Sequence, residues 1–212
     1  MATYGDLKTR IKNEIGRTTD PDMDTAVVNA VADAITYYTQ TPFWFLETSQ
    51  DIANVAGAAG YSLPTDFRTL VSVSQGGLTA GSDLLTIPAI HIDRYRSLVQ
   101  TEASVTGQPN AYALYGSTIL LYPTPNDAYY TRVYYTRAIE ALSSDDSTNS
   151  WTNEAEPLIR THAKIDLFVN YIRDASGDEI QRLSAQEGMW LAQLQRRSSA
   201  YQATGQVVPS SW

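Results

Sequence analysis

The sequence predicts an α+β fold: a helical bundle from the N- and C-terminal helices, an inserted antiparallel β-rich module, and an extended C-terminal arm. Three observations carry this expectation. Apolar residues recur at helical spacing at both ends of the chain, and they alternate with polar residues in the middle. The end of the chain, TGQVVPSSW, holds Gly205 and Pro209 and no charge, so it is not expected to continue a helix. The parts divide as a helical hairpin over 1–41, a β-rich insert over 42–142, two further helices over 151–202, and an arm over 203–212.

Thr3 with Asp6 three residues on reads as a capping box, Asp standing in for the usual Glu. Tyr4, Leu7, Ile11 and Ile15 then line one helical face, and Gly16 with Asp20-Pro21 ends it. A second helix is expected to start near Asp22 or Asp24, with Val27, Val28, Val31, Ala34, Ile35 and Tyr38 as its stripe. The short turn between them predicts an antiparallel pair. Phe43-Trp44-Phe45-Leu46 is a dense apolar knot, followed by alternation through Ile52 and Val55. A strand is expected over 69–75 and a short helix over 91–100, the latter with Ile92, Tyr95 and Leu98 on one face. Three strands follow at 111–115, 117–123 and 130–137, joined by Gly116 and by Pro125-Asn126-Asp127, both read as hairpin-type connections. SSDDSTNS (143–150) reads as a polar linker. Leu158, His162, Ile165, Val169 and Ile172 then recur at spacings of 4, 3, 4 and 3, a coiled-coil-like stripe. A last helix is expected from about Asp178 to Tyr201, with Ile180, Leu183, Trp190, Leu191 and Leu194 inward.

Composition bounds the chemistry. At 212 residues and 43% hydrophobic, the chain can bury a sizeable core. Charged residues make up only 18%, below the usual ~25%, which hints at surface covered by partners. The formal net charge is −8, with no basic stripe, so a tight grip on a phosphate backbone is not expected. There are no cysteines, which removes disulfides, thiolate catalysis and Cys-type zinc sites. The first residues, MATYGDLKTRIKNEIGR, are amphipathic and charged, unlike a signal peptide, and no stretch reaches the ~20 apolar residues of a membrane span.

No motif points to catalysis, a metal or a cofactor. His91 and His162 are the two histidines, and neither stands in a His-x-x-x-His or His-Glu pairing. His162 lies on an apolar stripe, as a core or interface histidine does. Gly-x-Ser-x-Gly and the phosphate-binding Gly-x-x-x-x-Gly-Lys do not occur. The close carboxylate pairs are Asp22/Asp24, Glu154/Glu156, Asp145/Asp146 and Asp178/Glu179. Three lie at expected helix starts, where acids satisfy free amides and the helix dipole, and Asp145/Asp146 lies in the linker. Seven of the fourteen tyrosines fall between Tyr112 and Tyr135. Stacking of bases or sugars is one reading, but only Arg132 and Arg137 lie close, so packing within a β layer or between subunits is favoured. The uncharged end is either a solvated tail or an arm docking into a neighbour's groove, with Val207, Val208 and Trp212 as anchors.

Four stretches together resemble the head–tail connector, or adaptor, proteins of tailed bacteriophages. They are Tyr4-Gly5-Asp6-Leu7-Lys8 with the second helix running to Tyr37-Tyr38 and Phe43-Trp44-Phe45; 61–67 with the following strand; 112–125 with Tyr134-Tyr135; and the helix over 157–174. They cover about residues 4–175. The resemblance implies a virion structural protein, made in the host cytoplasm, with no enzymatic activity and no cofactor. It implies a homo-oligomeric ring, typically of twelve subunits, bound beneath the portal protein and carrying a tail nozzle or tail-tube protein. Double-stranded DNA would pass through the channel unbound, past an acidic wall, and no membrane is involved. On that reading Gln206, Val207, Val208, Pro209 and Trp212 dock the arm on the portal. Tyr112, Tyr115, Tyr122, Tyr134, Tyr135, Leu158, His162 and Ile165 are the candidates for contacts with the tail or with neighbouring subunits. The rival readings are a glycan-binding or wall-degrading module built on the tyrosine-rich sheet, and another tail or baseplate component.

Overall fold

A computed structural model describes residues 2–102, 105–139, 141–172 and 177–204, the side chains of 202–204 excepted. Helix α1 (Tyr4–Glu14) begins with the expected capping box: the Asp6 amide donates to Thr3 Oγ1 at 3.1 Å, and the Thr3 amide donates to Asp6 Oδ2 at 3.0 Å. Two more of its free amides, those of Tyr4 and Gly5, donate to the carbonyls of Ser147 and Asp145, each at 2.9 Å. The segment read as a plain linker is therefore docked on a helix end, where it supplies acceptors that α1 lacks within itself. Lys8 pairs with Asp145 at 2.6 Å on the same side. The approach is close: a Cβ on Gly5 would stand 3.0 Å from Asp145 Cβ and 3.2 Å from its carbonyl oxygen.

Helix α2 (Pro21–Tyr38) starts earlier than expected, because Asp20 is its cap and Pro21 takes the first helical position, where no amide is needed. A short 3₁₀ turn, Trp44–Leu46, follows. At the other end of the chain come α4 (Ser150–Glu154), α5 (Glu156–Asp166), a π-helical segment Leu167–Ile172, and α6 (Gly177–Thr204). Glu154 thus closes α4 while Glu156 opens α5, so only Glu156 of that pair marks a helix start. The last helix also reaches Thr204, two residues into the segment read as an arm. Ala203 favours helix, and the first breaker in the sequence is Gly205.

These helices form one of two compact units, Met1–Leu46 with Ile139–Trp212; the other is Glu47–Ala138. Residues 42–46, grouped with the β insert from the sequence, belong to the helical unit: Phe43 and Leu46 are fully buried in its core, and Ile139 and Leu142 pack against it. The centre of this unit is α5, which contacts α1, α2, α4 and α6. Burial on several sides overturns the single stripe expected for it. Leu158, Ile159, Ala163 and Leu167 are buried, Ile165 is only half-buried and Val169 is exposed. The widened π turn after Asp166 shifts the side-chain phase, so a heptad pattern counted through it loses its face.

In the second unit β7 (Tyr130–Arg137) is an inner strand, antiparallel to both β1 (Glu47–Ala53) and β3 (Phe67–Gln75), with the short β4 (Leu85–Thr86) beyond β3. A second sheet holds β2 (Gly60–Ser62), β6 (Thr118–Tyr122) and β5 (Ala111–Tyr115) in that order. Ile119 and Leu121 of β6 share one core with Val73 and Val133 of the first sheet. The connection at Gly116 is a hairpin between β5 and β6, as expected. The connection at Pro125-Asn126-Asp127 is not: it carries the chain from one sheet to the other, because β7 pairs with strands distant in sequence. Helix α3 (Ile92–Thr101) lies on β5 with Tyr95 inward.

Beneath the end of β7, Asn54, Gln75 and Thr131 form a buried polar group. Thr131 Oγ1 lies 2.8 Å from Gln75 Oε1 and 3.1 Å from Asn54 Oδ1. A hydroxyl carries one proton, so Thr131 donates to one of these two oxygens at a time. Gln75 Nε2 completes the chain by donating to the carbonyls of Gly76 and Tyr130.

Two glycines report how tightly each unit closes. A Cβ on Gly76 would stand 2.8 Å from the Ser82 carbonyl oxygen and 3.1 Å from that of Tyr130, both backbone atoms. Gly5→Ala and Gly76→Ala are each expected to destabilise their own unit by about 1–3 kcal/mol, the usual scale for forced overpacking, with Gly76→Ala the larger. Urea unfolding followed by tryptophan fluorescence and by far-ultraviolet dichroism measures both.

Candidate functional site

The residues singled out from the sequence divide by burial. Tyr112 and Tyr135 lie in the core of the β unit, and Tyr135 donates to Asp66 Oδ1 at 2.8 Å. Burial first, and then that carboxylate, push its phenol up to about 12. Leu158 is fully buried among the helices of its own unit, so it has no surface to offer a neighbour. Tyr122 and Tyr134 are half-buried, as is His162, while Tyr115 is 60% exposed with Arg96 over its ring at 5.4 Å. Gln206, Val207, Val208, Pro209 and Trp212 lie outside the described residues. The candidates thus do not converge on one patch. What the structure brings together instead is a pair of side-chain clusters on α6 and the face of α6 itself.

The first cluster ties three helices. Tyr38 of α2 donates to Glu187 Oε1 at 2.5 Å, and His162 Nδ1 of α5 lies 2.5 Å from the same oxygen. The Tyr37 ring stacks on His162, with centroids 4.9 Å apart. The hydrogen bond from His162, helped by that from Tyr38, holds the Glu187 carboxyl below its ordinary range despite partial burial. Burial, and then the Glu187 carboxylate, raise the Tyr38 phenol well above its usual range. His162 is therefore a satisfied packing residue, and Glu187, which the sequence reading passed over, is its acceptor. A lone acid between Gln186 and Gly188 on an otherwise apolar-facing turn was the only available signal.

The second cluster fastens the far end of α6. Trp44 stacks on Tyr201 with centroids 5.5 Å apart and planes 6° from parallel, and the Arg197 guanidinium sits 4.4 Å from the Trp44 ring centroid. The Trp44 amide donates to Ser198 Oγ at 3.3 Å, and Arg197 also reaches Glu154 at 3.1 Å. The aromatic knot at 43–46 thus holds the last turns of α6 in place, just before the uncharged segment begins.

Three other titratable side chains serve the fold. His91 caps α3, its Nδ1 accepting from the Asp93 amide at 3.3 Å. Arg132 forms a two-pronged pair with Asp51 at 2.7 and 2.8 Å across β1 and β7, and this hydrogen bonding lowers the Asp51 carboxyl. Among the described residues no group of three His, Asp or Glu side chains is gathered as a metal site, and no helix is long and apolar enough to cross a membrane.

In the described architecture the polar side chains named above cap, pair and brace the helices and sheets. The model of the SU10 adaptor protein family matches residues 2–210, and the chain belongs to that family. It is a bacteriophage structural adaptor and hence a virion component. A search of curated proteins returned no match.

The Glu187 carboxyl is lowered in the fold, so its contribution is complete above its ordinary value of 4.5 and is lost as pH falls through the folded value. Tyr38 works in the opposite sense: its contribution is complete below 10.0 and is lost as pH rises through the folded value. Urea midpoints measured from neutral to acid pH are expected to fall for the natural chain, with Glu187→Gln flattening that limb and lowering the neutral plateau. Trp44→Ala is expected to cost about 1–3 kcal/mol and to speed amide exchange over residues 195–201 by about tenfold or more, with α1 and α2 little changed.

Proposed function

We propose that this chain is the subunit of a twelve-membered head–tail adaptor ring that joins portal to tail around the DNA channel. The observation that carries this reading is the adaptor-family match across residues 2–210. The helical unit forms the ring. Residues 203–212 engage the portal, with Val207, Val208, Pro209 and Trp212 as anchors and Gln206 beside them. Clamping of the end of α6 by Trp44 supports this role, since a docking segment binds more tightly when its root is already held. Of the tyrosines singled out, Tyr115, Tyr122 and Tyr134 keep surface outside the core of the β unit, on more than one side of it, and we assign these surfaces to contacts with the tail or a neighbouring subunit. A net charge of −8 suits a channel wall that DNA slides past, because like charges repel. The protein is made in the host cytoplasm and taken into the virion at the head–tail junction.

Deletion of residues 203–212 is the direct test. The truncated chain is expected to keep its melting temperature and dichroism and to lose binding to purified portal rings in a co-sedimentation assay. Unchanged portal affinity after the deletion would falsify the arm.

A further inference from the structure

The two sheets of the β unit have four edges, and three of them are short or closed. β2 and β4 run for only three and two residues. The outer edge of β5 is taken by residues 88–90: the Ile90 amide donates to the Tyr112 carbonyl at 2.7 Å, and the Tyr112 amide donates to the Pro88 carbonyl at 3.1 Å. β1 differs. Its seven residues pair with β7 in unbroken register, and it holds no lysine, proline or bulge. Among the described residues no strand lies on its other side. A long, regular edge of this kind is a template for a further strand.

The ladder also fixes which groups this edge offers. Antiparallel pairs alternate between bonded and non-bonded, and the Asn54 amide donates to the Tyr129 carbonyl at 2.7 Å. Thr48, Gln50 and Ile52 share that phase and bond toward β7, so the amides and carbonyls of Ser49, Asp51 and Ala53 face away from it. Ser49, Gln50 and Ala53 are exposed. A second β1 laid antiparallel on this edge must set odd-numbered residues opposite odd-numbered ones. Only one such register overlaps all seven residues. It sets Ser49 opposite Asp51, Glu47 opposite Ala53, and Gln50 opposite itself. No acid then faces an acid, and each Asp51 is already bound by its own Arg132. Sliding by two residues one way sets Glu47 opposite Asp51, and the other way sets Asp51 opposite itself, both of them unfavourable. In the full register Thr48 of one copy also stands opposite Ile52 of the other. Ile52 is half-buried against the core of its own unit, so this contact covers more of its side chain.

From this we infer that β1 binds β1 of a second copy of this chain, antiparallel and centred on Gln50, so that two β units share one continuous sheet. The same patch serves both copies, so the contact has two-fold symmetry and joins chains in pairs. It is distinct from the head-to-tail contacts of a closed ring and does not rest on the ring reading.

Sedimentation velocity of the full chain over a range of concentrations, with and without portal rings, reads the pairing, and amide exchange locates it. Without portal the natural chain is expected to become dimeric as concentration rises, with exchange at Ser49 and Asp51 slowing in step. Ser49→Pro removes an outward amide from each copy and leaves the bonds to β7 in place. It is expected to weaken the dimer about tenfold or more. Gln50→Lys sets two cations opposite one another and is expected to weaken it about threefold or more, whereas Ser49→Lys sets a cation opposite Asp51 and is expected to preserve or tighten it. Should Ser49→Pro melt early, the two lysine variants decide the question, since both side chains are exposed. A natural chain that stays monomeric without portal overturns the inference and leaves the ring reading standing. A dimer that Ser49→Pro and Gln50→Lys leave unchanged overturns it, as does equal weakening by the two lysine variants. Exchange at Ser49 and Asp51 that slows only when portal is added assigns the edge to the portal and equally overturns it.

Discussion

Helix α5 has neighbours on several sides, and the helical unit is arranged around that requirement. α1, α2, α4 and α6 all contact it, and it buries Leu158, Ile159, Ala163 and the following Leu167. Fully burying a side chain such as Leu or Ile contributes about 1.5–3 kcal/mol, so this one helix concentrates much of the unit's apolar gain. The same burial takes Glu156 out of water, at 7% exposure. A buried carboxylate is tolerated only when paired, and Arg10 of α1 and Arg160 of α5 each stand 3.4 Å from it. Four residues along on both helices, Glu14 pairs with Arg160 and Lys164. The charges along α1 and α5 therefore set their register while the apolar residues supply the energy.

The β unit solves a different problem. Its inner strand β7 is bordered on both sides, by β1 and by β3. Thr131, Val133 and Tyr135 point inward from it, so the strand carries a hydroxyl into the core near one end and a phenol near the other. Each is satisfied by a residue far away in sequence: Thr131 by Asn54 and Gln75, and Tyr135 by Asp66. Such partners fix which strands lie beside β7, because a misplaced register would leave these groups buried and unbonded.

Helix α6 is braced at two levels of the helical unit. The Tyr38–His162–Glu187 cluster holds α6 to α5 and α2 at one level, and the Trp44–Arg197–Tyr201 stack holds it near its end. Between these two fastenings α6 presents Met189 on an ordered helix.

The sequence by itself determined the elements. Capping at Thr3 and Asp20-Pro21, the alternation in β6 and the helical spacing at both ends are local rules, and local rules are readable one segment at a time. Its texture also pointed to the adaptor class, to which the family match assigns the chain. The tertiary structure alone decided the partners. It placed β6 and β7 in different sheets, turned residues 145–147 from linker into acceptors for α1, and buried Leu158 and Tyr112 inside their own units. It also exposed the α6 ridge, because which side of a helix meets solvent depends on how many neighbours that helix has, and the composition of one helix does not encode that number.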